Sequence, residues 1–396
     1  MGKTLDILPV TSLDYRVRAE KRLPRFLFDY IDGGANDELT LASNVADFSK
    51  LRIKQRVLRD VSHIDASTIL AAEQVSMPVV LAPIGLAGMM ACRAEAQAVR
   101  VANEAGIPFT LSTVGICSLT EVKAAASKPF WFQLYMIRDR VAVKSLLERA
   151  LAAGCTTLVF TVDLPIAGMR HRDTRNGMLT DSLRGKLGKV RQLAVRPRWI
   201  AEVALRGKPH TFGSLSELVP DATSLNSFKN WIDAQFDPSV TWTDIQWLRS
   251  IWPGKLLLKG ILEVEDALAA AAIGADGLVV SNHGGRQLDS VASTITKLPA
   301  IADAVGQRLE VYMDGGVRSG VDVFKAIALG ARGVLIGRPW IWALAGNGAV
   351  GLTDLLATFK REFEVAMSLA GVTRISDIRR ELIDSKVESA ECTATD

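Results

Sequence analysis

The sequence predicts a (β/α)8 barrel (TIM barrel) of the α/β class, with an N-terminal helical segment and a long insertion after strand four. Two observations carry that expectation. From about residue 77 onward, eight short apolar runs alternate with segments of helical periodicity, and polar residues gather at the C-terminal ends of those runs. Strands separated by helices build βαβ units and a parallel sheet. Runs that are apolar throughout belong to strands covered on both faces. Eight such units close into a barrel.

The runs are Met77–Pro83, Pro108–Ser112, Phe130–Leu134, Thr157–Thr161, Lys255–Lys259, Gly277–Ser281, Glu310–Asp314 and Gly333–Gly337. Between them, helical segments 94–105, 141–153, 263–273 and 321–329 each stop at a glycine: Gly106, Gly154, Gly274 and Gly330. Glycine just past the last turn is the expected stop, because it tolerates positive φ. Residues 1–72 read as the N-terminal helical segment and residues 73–385 as the barrel. Residues 175–240 form an insertion too long for an ordinary connection. Residues 386–396 read as a polar tail that frays.

Composition excludes several classes. The chain has 396 residues, 48% hydrophobic and 23% charged, as a globular protein does. The N-terminus lacks the apolar stretch of a signal peptide, and no uncharged apolar run is long enough to span a bilayer. Its four cysteines, Cys92, Cys117, Cys155 and Cys392, fit no zinc or CxxC spacing, so free thiols and no metal site are expected. Net charge is +4, yet residues 184–208 alone hold eight Lys/Arg against Glu202. Within them, Pro197–Leu205 predicts a short helix with proline in its first turn and Trp199, Ile200 and Val203 on one face. A basic, aromatic and aliphatic face suits an anionic membrane surface; a solvated basic loop is the alternative. No nucleic acid is expected, since no recognised binding motif accompanies the patch.

In such barrels, chemistry sits at the C-terminal strand ends. Here those ends supply Ser112, Gln133 and Tyr135, Thr161 and Asp163, Lys259, Ser281 to His283, Asp314, and Gly337 with Arg338. The last two ends are glycine-rich: Asp314-Gly-Gly-Val-Arg-Ser-Gly320 and Ile336-Gly-Arg338. Glycines let backbone N–H groups approach a phosphate, and Arg318 and Arg338 supply counter-charge. No GxGxxG follows a strand in a dinucleotide-binding context.

These residues resemble a known family, the FMN-dependent α-hydroxy-acid oxidising enzymes, and within it the bacterial membrane-associated L-lactate dehydrogenases. The matching stretches are Asp29-Tyr-Ile-Asp-Gly-Gly-Ala35, Leu81-Ala-Pro-Ile-Gly85, Trp131-Phe-Gln-Leu-Tyr135, Phe160-Thr-Val-Asp163, Lys259-Gly260, Ser281-Asn-His-Gly-Gly-Arg-Gln-Leu-Asp289 and the two glycine loops. Leu27–Tyr30, Gly106–Thr113 and Phe236-Asp-Pro-Ser239 carry the lactate-dehydrogenase likeness.

The resemblance implies FMN as cofactor and a small 2-hydroxy acid as substrate, first L-lactate, with mandelate dehydrogenase or an oxygen-using oxidase as alternatives. His283 resembles the active-site base and Asp163 its carboxylate partner. Arg286 and Arg170 match positions that hold the substrate carboxylate, and Tyr30 and Tyr135 match hydroxyls that contact substrate. Ala82, Pro83, Ser112, Gln133, Thr161 and Lys259 match the flavin-ring site. Asp314, Gly315, Gly316, Arg318, Gly337 and Arg338 match the ribityl-phosphate site. Gly85 matches a position near the flavin where the family's oxidases often carry alanine, which favours a dehydrogenase. The resemblance also implies a quinone acceptor, a homo-oligomer, and a peripheral position on the cytoplasmic face of the inner membrane, with residues 184–208 on the membrane surface.

Overall fold

A computed structural model describes residues 8–176, 183–216 and 235–384. The barrel strands are β1 Val79–Leu81, β2 Thr110–Ser112, β3 Phe130–Leu134, β4 Cys155–Thr161, β5 Lys255–Ile261, β6 Gly277–Val280, β7 Glu310–Met313 and β8 Gly333–Ile336. They form one parallel sheet in which β1 pairs with β8, and the order then runs down to β2. A parallel bridge between Leu81 and Phe109 joins β1 to β2 and completes the ring. Each strand lies within or extends its expected apolar run, and each is followed by a helix. The four glycines expected to stop helices all have positive φ.

The barrel interior is dry. Val80, Trp131, Val159, Leu257, Val279, Tyr312 and Leu335, one from each of seven strands, form a single buried cluster. Leu70, Ala71 and Val75 join it from an antiparallel hairpin, Thr68–Leu70 with Glu73–Val75, that plugs the N-terminal mouth. The Glu73 carboxylate accepts from Trp131 Nε1 (3.2 Å) and Thr156 Oγ1 (2.5 Å). With that mouth sealed, a ligand has only the opposite end to enter. The expected boundary at 72/73 falls in the turn of this hairpin. The N-terminal helices Ser12–Arg22, Arg25–Asp32 and Leu39–Lys50 pack on the barrel, and strand Arg52–Ile53 pairs with Ile383–Asp384 near the other end of the chain.

The insertion carries a helix, Leu183–Ala194, and the turn expected from Pro197, which is α-helical over Pro197–Trp199 and a π-helical turn over Ile200–Leu205. One expectation is corrected. Trp199 and Val203 do not face outward: they are 4% and 2% exposed, and Trp199 Nε1 donates to the Met89 carbonyl at 2.9 Å. The apolar stripe packs onto the short Ala87–Met89 turn that follows β1. The outward apolar residues of this region are Leu187, Val190, Val195 and Leu205, 61–70% exposed. Among the described residues, no helix is long and apolar enough to cross a membrane. The tail 386–396 and insertion residues 177–182 and 217–234 lie outside the described residues.

Candidate active site

Side chains along a strand alternate between faces, so the inward positions recur every second residue. Two residues beyond the apolar layer, the inward set becomes Ala82, Gln133, Thr161, Lys259, Ser281, Asp314 and Gly337, with Ser112 on β2. The barrel therefore turns from apolar to polar within one rung. Above that rung opens a cavity of about 780 Å³, whose wall includes Tyr30, Pro83, Lys259, His283, Arg286 and Arg338. Ser112 and Gln133 belong to a buried row behind Thr161: Ser112 Oγ donates to Gln133 Oε1 and Gln133 Nε2 to Thr161 Oγ1, both at 3.0 Å.

Lys259 is the buried cation of the rung. Its Nζ lies 2.9 Å from Asp314 Oδ2 and donates to Ser281 Oγ at 2.9 Å. Burial alone would lower its pKa, but the carboxylates of Asp314 and Asp163 more than offset that and hold it above the ordinary lysine value. The ammonium is therefore permanent at neutral pH.

Ser281 Oγ also accepts from the His283 backbone N–H at 3.1 Å. There the chain takes three consecutive positive φ values, at His283, Gly284 and Gly285. Histidine in that region is strained, a feature that clusters at functional sites. The two glycines are required sterically as well. A Cβ on Gly284 would lie 2.9 Å from Arg338 Nη1, and one on Gly285 2.6 Å from the Leu41 nitrogen. The turn brings His283 Nδ1 to 2.8 Å from Asp163 Oδ1. Burial, reinforced by Lys259 and Arg286, outweighs Asp163 and pulls the imidazole below its usual pKa. Burial pushes Asp163 the other way, but His283 and Lys259 prevail and keep it ionised. The resting pair is a neutral imidazole oriented by a carboxylate. That is a proton acceptor whose charged form has its counter-ion in place.

Two more cations face this base. The guanidinium carbons of Arg286 and Arg170 lie 5.0 and 5.6 Å from the Tyr30 ring centroid. Arg286 donates to the carbonyls of Tyr30 and Gly33, and Arg170 is steadied by Asp173 at 3.4 Å. Burial, then repulsion from Arg170, lowers the Arg286 pKa. Burial, then Asp163, raises that of Tyr135 and keeps its phenol protonated. The structure thus assembles Tyr30, Tyr135, Arg170, Arg286 and His283 around one cavity, with Asp163 bonded to His283. A small carboxylate with an oxidisable neighbouring carbon suits that set.

The FMN-dependent dehydrogenase family model matches residues 19–385. The chain belongs to that family. It is 51% identical to the L-lactate dehydrogenase of Caulobacter vibrioides strain NA1000 / CB15N over 96% of this chain and 99% of that one. It is 50% identical to the L-lactate dehydrogenase of Ectopseudomonas mendocina over 94% and 98%. Among solved structures, the monotopic membrane protein (S)-mandelate dehydrogenase superposes with a TM-score of 0.90 at 34% identity, covering 96% of this chain and all of that one.

FMN carries a phosphate and a ribityl chain, and the far end of the cavity fits both. Arg318 and Arg338 line that end, half-buried. Burial lowers Arg318 to about 10. Burial, followed by repulsion from Arg286 and Arg318, lowers Arg338 to about 9. A phosphate dianion would relieve that cluster. Arg338 also ties the N-terminal segment down, donating to the carbonyls of Ile31, Gly284 and Gly33 at 2.8–3.1 Å. Gly337 precedes the last barrel helix, so the helix N-terminus faces the same end. Gly316, at φ +90°, presses so closely on the Leu39–Lys50 helix that a Cβ would overlap the Asn44 carbonyl. Among the described residues Asp314 Oδ1 is buried without a hydrogen-bond partner, and a ribityl hydroxyl would supply a donor there. At the ring end, a Cβ on Gly85 would lie 2.7 Å from Val114 Cγ2 and 3.3 Å from the Tyr30 hydroxyl. Gly85 therefore keeps clear the space between them.

Sequence reasoning assigned no role to four contributors. Asn44 and Asn282 exchange amide hydrogen bonds at 2.8 Å and clamp the N-terminal helices to β6. Phe236, within the Phe-Asp-Pro-Ser motif, stacks on Tyr135 at 5.1 Å and bridges to Ile137, returning the insertion to the cavity wall. Gln287 bonds the loop after β4. Phe236, Asn282 and Gln287 each stood in a quoted motif without an assigned role, and only Asn44 left no signal.

Proposed function

We propose that the chain is an FMN-dependent L-lactate dehydrogenase, yielding pyruvate and delivering its electrons to a membrane quinone. The carrying observation is the neutral His283, held 2.8 Å from Asp163 and facing two guanidinium groups across one cavity. Bound FMN supplies the two-electron acceptor that protein side chains lack. Arg286 and Arg170 take the substrate carboxylate, for which a planar fork is suited. The Tyr30 and Tyr135 hydroxyls fix the hydroxy acid beneath His283. The imidazole accepts one proton, and Asp163 stabilises the imidazolium. Lys259 supplies positive charge at the cavity floor, where the reaction adds negative charge. About 50% identity to two bacterial L-lactate dehydrogenases over nearly the whole chain favours lactate as substrate.

The test is anaerobic bleaching of flavin absorbance with a panel of L- and D-2-hydroxy acids. L-Lactate should bleach it fastest and D-lactate not at all; bleaching by L-mandelate alone would replace the substrate assignment. Stoichiometric hydrogen peroxide during aerobic turnover would replace the quinone by oxygen.

Membrane contact belongs to the same proposal, supported by likeness to a monotopic (S)-mandelate dehydrogenase. With Trp199 turned inward, the contact falls to Leu187 and Val190. They lie three residues apart on the Leu183–Ala194 helix and are 70% and 63% exposed, with Lys189 and Arg191 interleaved. Residues at that spacing share a helix face. The double substitution Leu187→Asp, Val190→Asp removes apolar contact and adds charge that anionic lipid repels. The variant should move from the membrane pellet to the supernatant with its lactate-driven flavin bleaching intact. Unchanged sedimentation with vesicles rich in anionic lipid would refute the assigned surface.

A further inference from the structure

The segment Leu164–Met169 follows Asp163, two residues beyond the end of β4, and leads into Arg170. It adopts neither helix nor strand, and Ile166 and Met169 are 72% and 67% exposed. Such a loop has little burial to fix it, yet its ends carry the partner of the base and one anchor of the substrate carboxylate. Among the described residues, one side chain bonds its backbone, that of Gln287. The Gln287 amide donates through Nε2 to the carbonyls of Asp163 and Ile166, both at 2.9 Å, and accepts through Oε1 from the Gly168 N–H at 3.1 Å. A backbone bond from Asn36 N–H to the Met169 carbonyl, 2.8 Å, supports the far end. The approach is close on both sides: a Cβ on Gly168 would lie 2.5 Å from the Arg286 carbonyl and 2.7 Å from that of Gln287.

We infer that Gln287 is a positioning residue: its amide fixes the Leu164–Met169 loop against the His283–Gln287 turn and so sets the spacing between Arg170 and Arg286 that receives the substrate carboxylate. The two segments meet at three points. His283 meets Asp163, Arg286 and Arg170 both approach the Tyr30 ring, and Gln287 ties the chain between Asp163 and Arg170. The first contact is held by its own hydrogen bond. The second joins two like charges and cannot hold itself, because Arg170 and Arg286 repel until a carboxylate lies between them. A neutral donor–acceptor group adds to the restraint from Asp173 and Asn36 without changing the charge of the site. An amide does so, bonding two carbonyls and an N–H at once.

This inference rests on the 2-hydroxy-acid reading above, and its test separates the two. Gln287→Met keeps the volume and removes all three bonds. Gln287→Glu keeps an acceptor for Gly168 but sets a carboxylate against two carbonyls. Both variants are compared with the parent in FMN content, kcat and KM for L-lactate, and affinity for oxalate, a dicarboxylate with no α-hydrogen to lose, read from the shift in flavin absorbance. KM and the oxalate dissociation constant should rise together, about tenfold or more, with kcat within about threefold of the parent, FMN content unchanged and the acid limb of the pH profile in place. Oxalate affinity and KM within twofold of the parent would overturn the inference. So would loss of FMN in step with loss of oxalate binding in both variants, which would make Gln287 a general scaffold residue. A parent enzyme that binds oxalate but is not bleached by L-lactate would overturn the substrate reading and leave the oxalate comparison valid.

Discussion

Replacing His283 with alanine is expected to slow anaerobic flavin reduction by L-lactate about 10²–10⁴-fold, the range for losing a positioned general base, while FMN stays bound. The geometry separates the two outcomes. The imidazole bonds Asp163, whereas Arg338 bonds the neighbouring Gly284 carbonyl and not the ring. Direction of charge also matters. Burial, Lys259 and Arg286 together place the imidazole pKa below its ordinary value, with Asp163 opposing them in part. The active form is the neutral one, so it predominates at neutral pH and is lost as pH falls through the lowered pKa. The acid limb of kcat/KM should therefore lie below about 6.5, the free imidazole value. Asp163→Asn removes the one strong opposing influence. It should shift that limb further to acid and lower the plateau, because the imidazolium then lacks its counter-charge. A parent limb above 7, or an alanine variant reduced at the parent rate with FMN bound, would remove His283 from the role of base.

Strand placement was legible because an all-apolar run between two turn signals has few other structures to adopt. The polar strand ends were legible for a related reason: the inward row continues with period two, so the residue two beyond Trp131, Val159, Leu257 and Tyr312 had to enter the same space. What failed was direction. The stripe of Trp199 and Val203 marks an apolar face equally well whether lipid or protein covers it. The structure covers it with the Ala87–Met89 turn, and no local pattern distinguishes the two. Gln287 was illegible for a different reason. Its bond to Gly168 spans 119 positions, and one glutamine in a polar turn says nothing of which backbone it will meet. The hairpin that plugs the barrel was hidden by strands only three residues long, too short for alternation to be read.

Replacing Lys259 with methionine should cost both activity and stability, and the two losses can be separated. Lys259 is 5% exposed, with its ammonium 2.9 Å from Asp314 Oδ2. Removing one member of a buried ion pair leaves the other charge uncompensated, at a cost of about 3–5 kcal/mol. The single variant should melt well below the parent. It should also be reduced by L-lactate about 10²–10³-fold more slowly, the usual loss when a fixed electrostatic partner of developing charge is removed. Adding Asp314→Asn removes the stranded carboxylate, because an amide can be buried without a counter-ion. The double variant should regain most of the melting temperature and none of the rate. If restoring stability also restored the rate, Lys259 would act only through the fold. If the single variant melted like the parent, the Lys259–Asp314 contact would carry no net stability. With stability recovered and the rate still low, the cation itself is what the reaction uses, at the point where β5 and β7 bring their inward positions together.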